Sequence, residues 1–193
     1  MYKLCKTEQS ANRQRQLEQG LLQTMLTRHY DEISVSDLCA QLQIPRKAFY
    51  RYFDGKEGAL HALLDHTLMA YESFPLVYSE GEKRTLLREL EQFFLFWIQQ
   101  KPLLDALQRS GLSGELIVRS ILQASTEVSV PKRFLNTDAL QVQRYVTMFG
   151  VCGLMSMVLQ WHHDGYAESA HVMATVAVRL LTQPLFPDAQ KLL

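Results

Sequence analysis

The chain has 193 residues, of which 47% are hydrophobic and 21% are charged. This composition is typical of a globular protein with a sizeable core, and it disfavours the disordered and fibrous classes. The net charge is zero, but residues 1–60 hold 9 Lys/Arg against 7 Asp/Glu while the remainder holds 11 against 13, so an anion-binding surface is expected in the first third of the chain.

Apolar residues recur at three- and four-residue spacing along nearly the whole chain, and no segment keeps a two-residue alternation. This periodicity predicts an all-α fold of about nine helices. In chain order, helices are predicted at about 9–28, from near Ser36, from near Pro45, from Glu57 to about 73, and at about 82–100, 102–109, 113–125, 137–163 and 166–182.

The second and third predicted helices carry the strongest local signals. Ser34 or Ser36 is expected to cap the second helix, and Asp37 in its first turn complements the helix dipole. Pro45 suits the first turn of the third helix, since it gives up an amide that has no helical partner there. Five apolar side chains are spaced to close a small core against the first helix: Leu38, Leu42, Ile44, Phe49 and Phe53. Two short helices joined by such a turn predict a helix-turn-helix unit.

The second helix of this unit would be offered to the major groove of DNA, and here it is rich in cations and tyrosines. The side chains left at or near its surface are Arg46, Lys47, Ala48, Tyr50 and Arg51. Lys and Arg neutralise phosphates or reach guanine edges, and tyrosine hydroxyls bond phosphate oxygens. The alternative is a solvated amphipathic helix whose cations only provide solubility.

The order and spacing of these residues resemble the DNA-binding domain of the tetracycline-repressor (TetR) family over about residues 10–60. The family pattern is a threonine-like cap, an Ile-Ala pair, a Gly-Val-Ser turn, and then a tyrosine, a histidine or tyrosine, a phenylalanine and a lysine. The matching residues are Ser34, Leu38-Cys39, Gln43-Ile44-Pro45, Tyr50, Tyr52, Phe53 and Lys56.

The resemblance implies a DNA-binding domain at 1–56 and a helical ligand-binding and dimerisation domain at 57–193. It implies phosphate contacts from Ser34, Ser36, Tyr50, Tyr52 and Lys56. It also implies that Arg46, Lys47 and Ala48 approach the bases.

Three positions depart from the family pattern. Gln43 replaces the usual glycine, so a left-handed turn at this residue would be costlier. Pro45 replaces a serine, and Ala48 replaces a polar, threonine-like residue. Base reading is therefore left mostly to Arg46 and Lys47, with a thymine-methyl contact open to Ala48.

The eighth predicted helix carries a stripe of small residues, Gly150, Gly153 and Ser156, and is apolar nearly all round. Such a helix is expected to be buried both against its own chain and against a partner. Two helices from each of two subunits would form a four-helix interface; the alternative is a central helix buried within one chain. The candidate interface residues are Gly150, Gly153, Ser156, Met157 and Trp161.

The fifth predicted helix contains EQFFLFWIQQ, which is too apolar for a helix with one wet face. It forms either the wall of an apolar effector pocket or ordinary core. The candidate pocket residues are Phe93, Phe94, Trp97, Tyr145 and Met148, with Tyr71 and Tyr78 as possible companions. Nothing in the sequence names the ligand.

Other chemistries have weak support. The histidines fall in two groups at spacings that a metal site can use: His61 and His66 with Asp65, and His162, His163 and His171. Neither group supplies a clear third ligand, so solvated or hydrogen-bonded histidines are favoured. A GxSxG elbow, a phosphate-binding glycine loop and HExxH are missing from the sequence. We therefore predict no catalysis, no cofactor and no metal.

The three cysteines are widely separated and have no CxxC spacing, which disfavours a disulfide framework and suits a reducing compartment. There is no apolar leader, and the longest apolar run, 145–161, stops at His162. We therefore predict a cytoplasmic protein that does not span a membrane.

Together these features predict a homodimeric transcriptional repressor that binds a palindromic operator and is released by a small apolar effector. Two other classes stay open at this point. One is a helical enzyme or small-molecule carrier, and the other is an adaptor that binds a protein partner and no operator.

Overall fold

The computed structural model describes residues 1–74, 85–126 and 140–183, and these contain nine α-helices, one 3-10 helix at Tyr30–Glu32 and a single isolated β-bridge. The α-helices are α1 (Glu8–Met25), α2 (Val35–Gln41), α3 (Arg46–Phe49), α4 (Lys56–Glu72), α5 (Leu86–Gln99), α6 (Lys101–Arg109), α7 (Ser113–Thr126), α8 (Leu140–His163) and α9 (Ala170–Thr182). The all-α prediction is confirmed. Tyr78 and the predicted helical residues 82–84 and 137–139 lie outside the described residues.

Two predicted helix boundaries differ from the structure for local reasons. α1 ends at Met25 and not at Arg28, because the amides of Thr27 and Arg28 both donate to the carbonyl of Thr24 in a closing turn. α9 begins at Ala170 and not at Tyr166, since Tyr166 has a φ of 60°, which a right-handed helix cannot contain.

The first three helices close the predicted small core. Leu38, Phe49 and Phe53 are fully buried, and the rings of Phe49 and Phe53 lie 5.1 Å apart. Leu42 and Ile44 are partly buried against the same core. Leu17, Leu21 and Met25 of α1 complete it. The core fixes the position of α3 relative to α1 and α2. The outer face of α3 therefore rests on a rigid support.

The remaining helices pack mainly in two pairs, α5 with α9 and α7 with α8. α4 contacts both α1 and α7 and therefore joins the first three helices to this bundle. Its buried side chains, including Leu60, Leu63 and Leu64, belong to the continuous core. Within the described segments, no helix combines the length and the apolarity that a membrane crossing requires.

Candidate nucleic-acid interface

Ser34 is the N-cap of α2. Its Oγ accepts a hydrogen bond from the amide of Asp37 at 3.1 Å, and the Asp37 carboxylate accepts one from the amide of Ser34 at 3.3 Å. This reciprocal capping box satisfies two amides at the helix start. Hydrogen bonding with Ser34 lowers the pKa of Asp37. The Ser34 hydroxyl can still donate its own proton outward, and Ser36 is exposed in the same turn.

The turn between α2 and α3 is left-handed at Gln43, whose φ is 53°. The amide of Ile44 donates to the carbonyl of Cys39 at 2.9 Å, and that of Gln43 donates to the carbonyl of Ala40 at 3.1 Å. This is the helix ending that normally has glycine at the left-handed position. The left-handed turn expected from the sequence is therefore present. Gln43 adopts this conformation although its Cβ makes it less favourable than it would be for glycine.

We expect Gln43→Gly to raise the free energy of unfolding by about 0.5–1 kcal/mol. Glycine removes a left-handed strain of roughly 1–2 kcal/mol, and its greater freedom in the unfolded chain offsets part of the gain. Gln43→Ala is the matched control, because it shortens the side chain and keeps the Cβ that causes the strain. Urea unfolding of the two variants measures the difference; a Gln43→Gly chain less stable than Gln43→Ala would contradict the argument.

α3 turns its cations and its tyrosine outward. Arg46, Lys47 and Tyr50 are exposed, while Ala48 is half-buried. The Arg46 guanidinium donates to the Tyr50 hydroxyl at 3.5 Å and lies 5.9 Å from the centre of its ring. Both side chains are thus partly ordered before any ligand arrives. Arg46 and Lys47 are thus exposed together with Tyr50, the residue that directly follows α3.

Two further residues of this surface follow α3, and one of them, Tyr52, is a predicted phosphate contact. Arg51 is exposed, and Tyr52 is half-buried, with its ring 6.3 Å from that of Phe53. An open polar groove of about 690 Å³ lies between these two residues and the start of α1, where Asn12 and Arg13 line it. The groove extends the polar surface of α3 onto α1, which sequence reasoning had not included.

Lys56 is more constrained than the sequence suggested. It is the first residue of α4, and its Nζ donates to the carbonyl oxygens of Tyr30 at 2.8 Å and Asp31 at 3.3 Å. The ammonium also lies 4.3 Å from the centre of the Tyr30 ring. Carbonyl oxygens and an aromatic face attract an ammonium that is partly removed from water. Lys56 therefore holds the 3-10 turn to α4, with one N–H left for another acceptor.

A segment that no sequence pattern singles out runs beside this surface. Tyr2 and Phe53 form an antiparallel bridge, and the amide of Lys3 donates to the carbonyl of Tyr52 at 2.9 Å. Residues 1–3 therefore pair with the backbone that follows α3. Three residues with one aromatic ring carry no periodicity, so no pattern could have predicted this pairing.

Several apolar side chains of α8, and others of α9, stay in contact with water. Tyr145 is 73% exposed and Phe149 is 66% exposed. Apart from the adjacent backbone of α8 itself, a Cβ added at Gly150 or Gly153 would meet no atom of the described residues within 4 Å. On α9, three large exposed side chains follow at four-residue spacing: Val172, Val176 and Leu180. The face is apolar, and its glycines leave room for a neighbouring backbone.

No known family model and no curated protein matches the chain. Solved structures do match it: a TetR-family transcriptional regulator from Streptomyces coelicolor (23% identity, 87% of this chain, 80% of that chain, TM-score 0.56), the fatty acid degradation regulator FadR from Bacillus halodurans (14%, 94%, 98%, 0.58), and the dihydroxyacetone kinase operon activator DhaS (14%, 87%, 93%, 0.55). The chain has the TetR-type regulator fold. The three similar proteins are described as regulators or an activator, not as enzymes.

Trp161, predicted at the dimer interface, and Tyr145, predicted at the effector pocket, differ in burial from what those predictions suggest. Trp161 is only 3% exposed; its Nε1 donates to the carbonyl of Glu168 at 3.0 Å and its ring packs on Phe94. It belongs to the interior of the subunit, so its assignment to an interface was wrong. Tyr145 lies on the exposed face with Phe149 and is 73% exposed, so its place in an effector pocket stays a prediction. Met157 and Met148 are half-buried.

The aromatic residues of α5 form a packed cluster inside the TetR-type bundle. Phe94 and Trp97 are fully buried, and the ring of Phe93 lies 6.3 Å from that of Trp97 and 5.5 Å from that of Tyr71. These contacts are those of ordinary core packing. The Trp97 Nε1 is buried and has no hydrogen-bond partner in the described part of the chain, so an effector pocket next to it stays a prediction.

Four histidines lie beside carboxylates on neighbouring helices. The pairs are His61 with Glu115, His66 with Glu18, His162 with Asp105 and His171 with Glu91. Asp65, the proposed companion of His61, is bound instead by Arg119. In the segments that the structure describes, no three His, Cys, Asp or Glu side chains converge as a metal site would require.

Proposed function

We propose that the chain is a transcriptional regulator that binds palindromic DNA as a homodimer. The observation that carries the proposal is the outer face of α3: Arg46, Lys47 and Tyr50 are exposed together, while Phe49 on the opposite side is fully buried. A short helix with a rigid apolar back and a cationic front is what major-groove recognition requires. The TetR-type fold supports this use of the helix.

The predicted DNA contacts fall into two groups, those to bases and those to phosphates. Arg46 and Lys47 contact base edges, with Ala48 near a thymine methyl, because they occupy the first turn of α3. Ser34, Ser36, Tyr50, Tyr52 and Lys56 contact phosphates and set the register. Residues 1–56 form the DNA-binding part and residues 57–193 the effector and dimerisation part, with α4 crossing between them.

The exposed face of α8 and α9 is the proposed dimer interface. Tyr145, Phe149, Gly150, Gly153 and Ser156 present an apolar, closely approachable surface that would otherwise stay in water. A two-fold axis through such a face makes a four-helix interface. It would place two α3 helices one DNA turn apart, about 34–36 Å, so that each reads half of a palindrome.

In the proposed regulation, a small apolar effector releases the repressor from DNA in the cytoplasm. An effector that binds better to the subunit spacing unsuited to DNA lowers operator affinity by that difference in binding free energy. The candidate site is the aromatic cluster around the Trp97 Nε1, which has no hydrogen-bond partner among the described residues; it favours an apolar body with one hydrogen-bond acceptor. DhaS is described as an operon activator, so activation is the second outcome that a reporter assay must distinguish.

Lys56→Met is expected to weaken DNA binding by a similar factor on every sequence, because a phosphate contact carries no sequence information. The salt dependence of log K should flatten by about one unit per subunit. Binding measured from about 50 to 200 mM salt on the selected site and on an unrelated duplex tests this. An unchanged salt slope would assign Lys56 to holding the Tyr30 carbonyl alone.

The function is tested by selecting bound duplexes from a random DNA library with the full chain, followed by sequencing and a salt titration of the selected site. An enriched palindrome with a steep salt slope supports the proposal. Enrichment of a single half-site would support DNA binding and overturn the dimer. No enrichment, with or without candidate apolar effectors, would favour a carrier or an adaptor instead.

A further inference from the structure

Residues 1–3, the N-terminal strap, are built into the surface next to α3. The amide of Lys3 donates to the carbonyl of Tyr52 at 2.9 Å, and the amide of Asp54 donates to the carbonyl of Met1 at 3.1 Å. The Lys3 ammonium also donates to the carbonyl of Tyr50 at 3.3 Å. The backbone from Tyr50 to Asp54 is thus hydrogen-bonded at three points along the strap.

The first turn of α4 accommodates the strap by means of a glycine. A Cβ added at Gly58 would lie 2.3 Å from the carbonyl oxygen of Met1, which is closer than any real contact. Glycine inside a helix is less stabilising than alanine. At position 58 the missing Cβ is what allows the strap to pack this closely on α4.

The strap is anchored through its tyrosine. The Tyr2 hydroxyl donates to Oδ2 of Asp65 on α4 at 2.9 Å, and its ring lies edge-on to His66 with 5.8 Å between the ring centres. Burial, and then this hydrogen bond, raise the pKa of Tyr2 to about 12. The hydroxyl therefore keeps its proton and donates it to Asp65 throughout the neutral pH range.

The same carboxylate is held from the other side by α7. Arg119 donates from Nε to Oδ1 of Asp65 at 2.7 Å and from its Nη2 to Oδ2. Asp65 is only 9% exposed. Two parallel hydrogen bonds between a guanidinium and a carboxylate fix the orientation of both groups. Oδ2 thus accepts hydrogen bonds from both Tyr2 and Arg119, so the position of the strap depends on a residue of the bundle.

We propose that Tyr2, Asp65 and Arg119 are positioning residues for DNA recognition: the strap holds the end of α3, and Arg119 sets the strap through Asp65. This proposal rests on the DNA-binding function proposed above. It predicts that removing a single hydroxyl at Tyr2, or reshaping the cation at Arg119, loosens the backbone after α3 and lowers DNA affinity although neither residue touches DNA.

The variants are Tyr2→Phe, which keeps the ring and removes the hydroxyl, and Arg119→Lys, which keeps the charge and loses the fork. The matched control is Tyr166→Phe on a half-buried tyrosine whose buried hydroxyl has no partner in the described part of the chain. In the full chain, amide hydrogen exchange of Lys3 and Asp54 is expected to accelerate about three- to tenfold in both variants and to stay unchanged in the control.

Affinity for the selected DNA is expected to fall about three- to tenfold in both variants, again with no change in the control. Unchanged exchange in Tyr2→Phe would overturn the anchoring of the strap. Faster exchange with full DNA affinity would overturn its role in recognition. If the wild-type chain selects no DNA, the proposed function fails, whereas the exchange result still decides whether Tyr2 anchors the strap.

Discussion

Replacing Arg46 and Lys47 together by alanine is expected to abolish sequence-specific DNA binding and to leave the fold and the dimer intact. Both side chains are exposed, and the helix that carries them is held from behind by the buried Phe49. Each base contact contributes roughly 1–3 kcal/mol, and a dimer would lose four of them. Affinity for the selected site should therefore fall at least about a thousandfold, towards the non-specific level.

The control removes the same charge elsewhere. Lys101 and Arg109 are exposed cations on α6, so Lys101→Ala with Arg109→Ala lowers the net charge equally without altering α3. This control should lose only the weak, salt-sensitive attraction of the whole molecule for DNA. Full affinity in the Arg46/Lys47 variant, or an equal loss in the control, would refute the assignment of α3 as the recognition helix.

The second large effect is expected from Phe149→Glu, which should convert the proposed dimer to monomers. Phe149 is 66% exposed in the subunit, so a carboxylate there is solvated in the monomer and the fold is unaffected. In the dimer the same carboxylate would be buried without a partner, which costs roughly 3–5 kcal/mol for each subunit. The dimer dissociation constant should rise at least about a thousandfold, and operator binding should fall with it.

Met69→Glu is the matched control, since Met69 is 51% exposed on α4 and undergoes the same change from an apolar side chain to a carboxylate. Sedimentation at micromolar concentration should show a dimer for the wild type and for Met69→Glu, and a monomer for Phe149→Glu. Circular dichroism should show equal helix content in all three. A monomeric wild type, or a dimeric Phe149→Glu chain, would overturn the proposed interface.

The helix-turn-helix was predictable because its signals are local. Ser34 caps a helix through contacts with Asp37 only three residues away, and the turn at Gln43 is closed by hydrogen bonds from the amides of Gln43 and Ile44 back to carbonyls at the end of α2. The spacing of Phe49 and Phe53 follows from helical geometry alone. Side chains such as Arg46 then face outward because their neighbours face inward.

The pocket and interface residues were less predictable, because the helix that carries them is apolar on every side. Periodicity on α8 does not separate a residue that meets its own chain from one that meets solvent or a partner. Trp161 turned out to pack inside the subunit against Phe94, whereas Tyr145 lies on the exposed face. Which side of α8 is covered depends on where α7 and the α5–α9 pair lie in space.

The all-α class, the placement of the helix-turn-helix and the outward cations of α3 could be predicted from the sequence, since each depends on residues at most a few turns apart. The sequence contained no sign that Lys56 is bound to the Tyr30 carbonyl, that Asp65 joins Tyr2 to Arg119, or which face of α8 is left open. These features join residues 26 to 63 positions apart, and the packing of whole helices, which no local pattern encodes, brings them together.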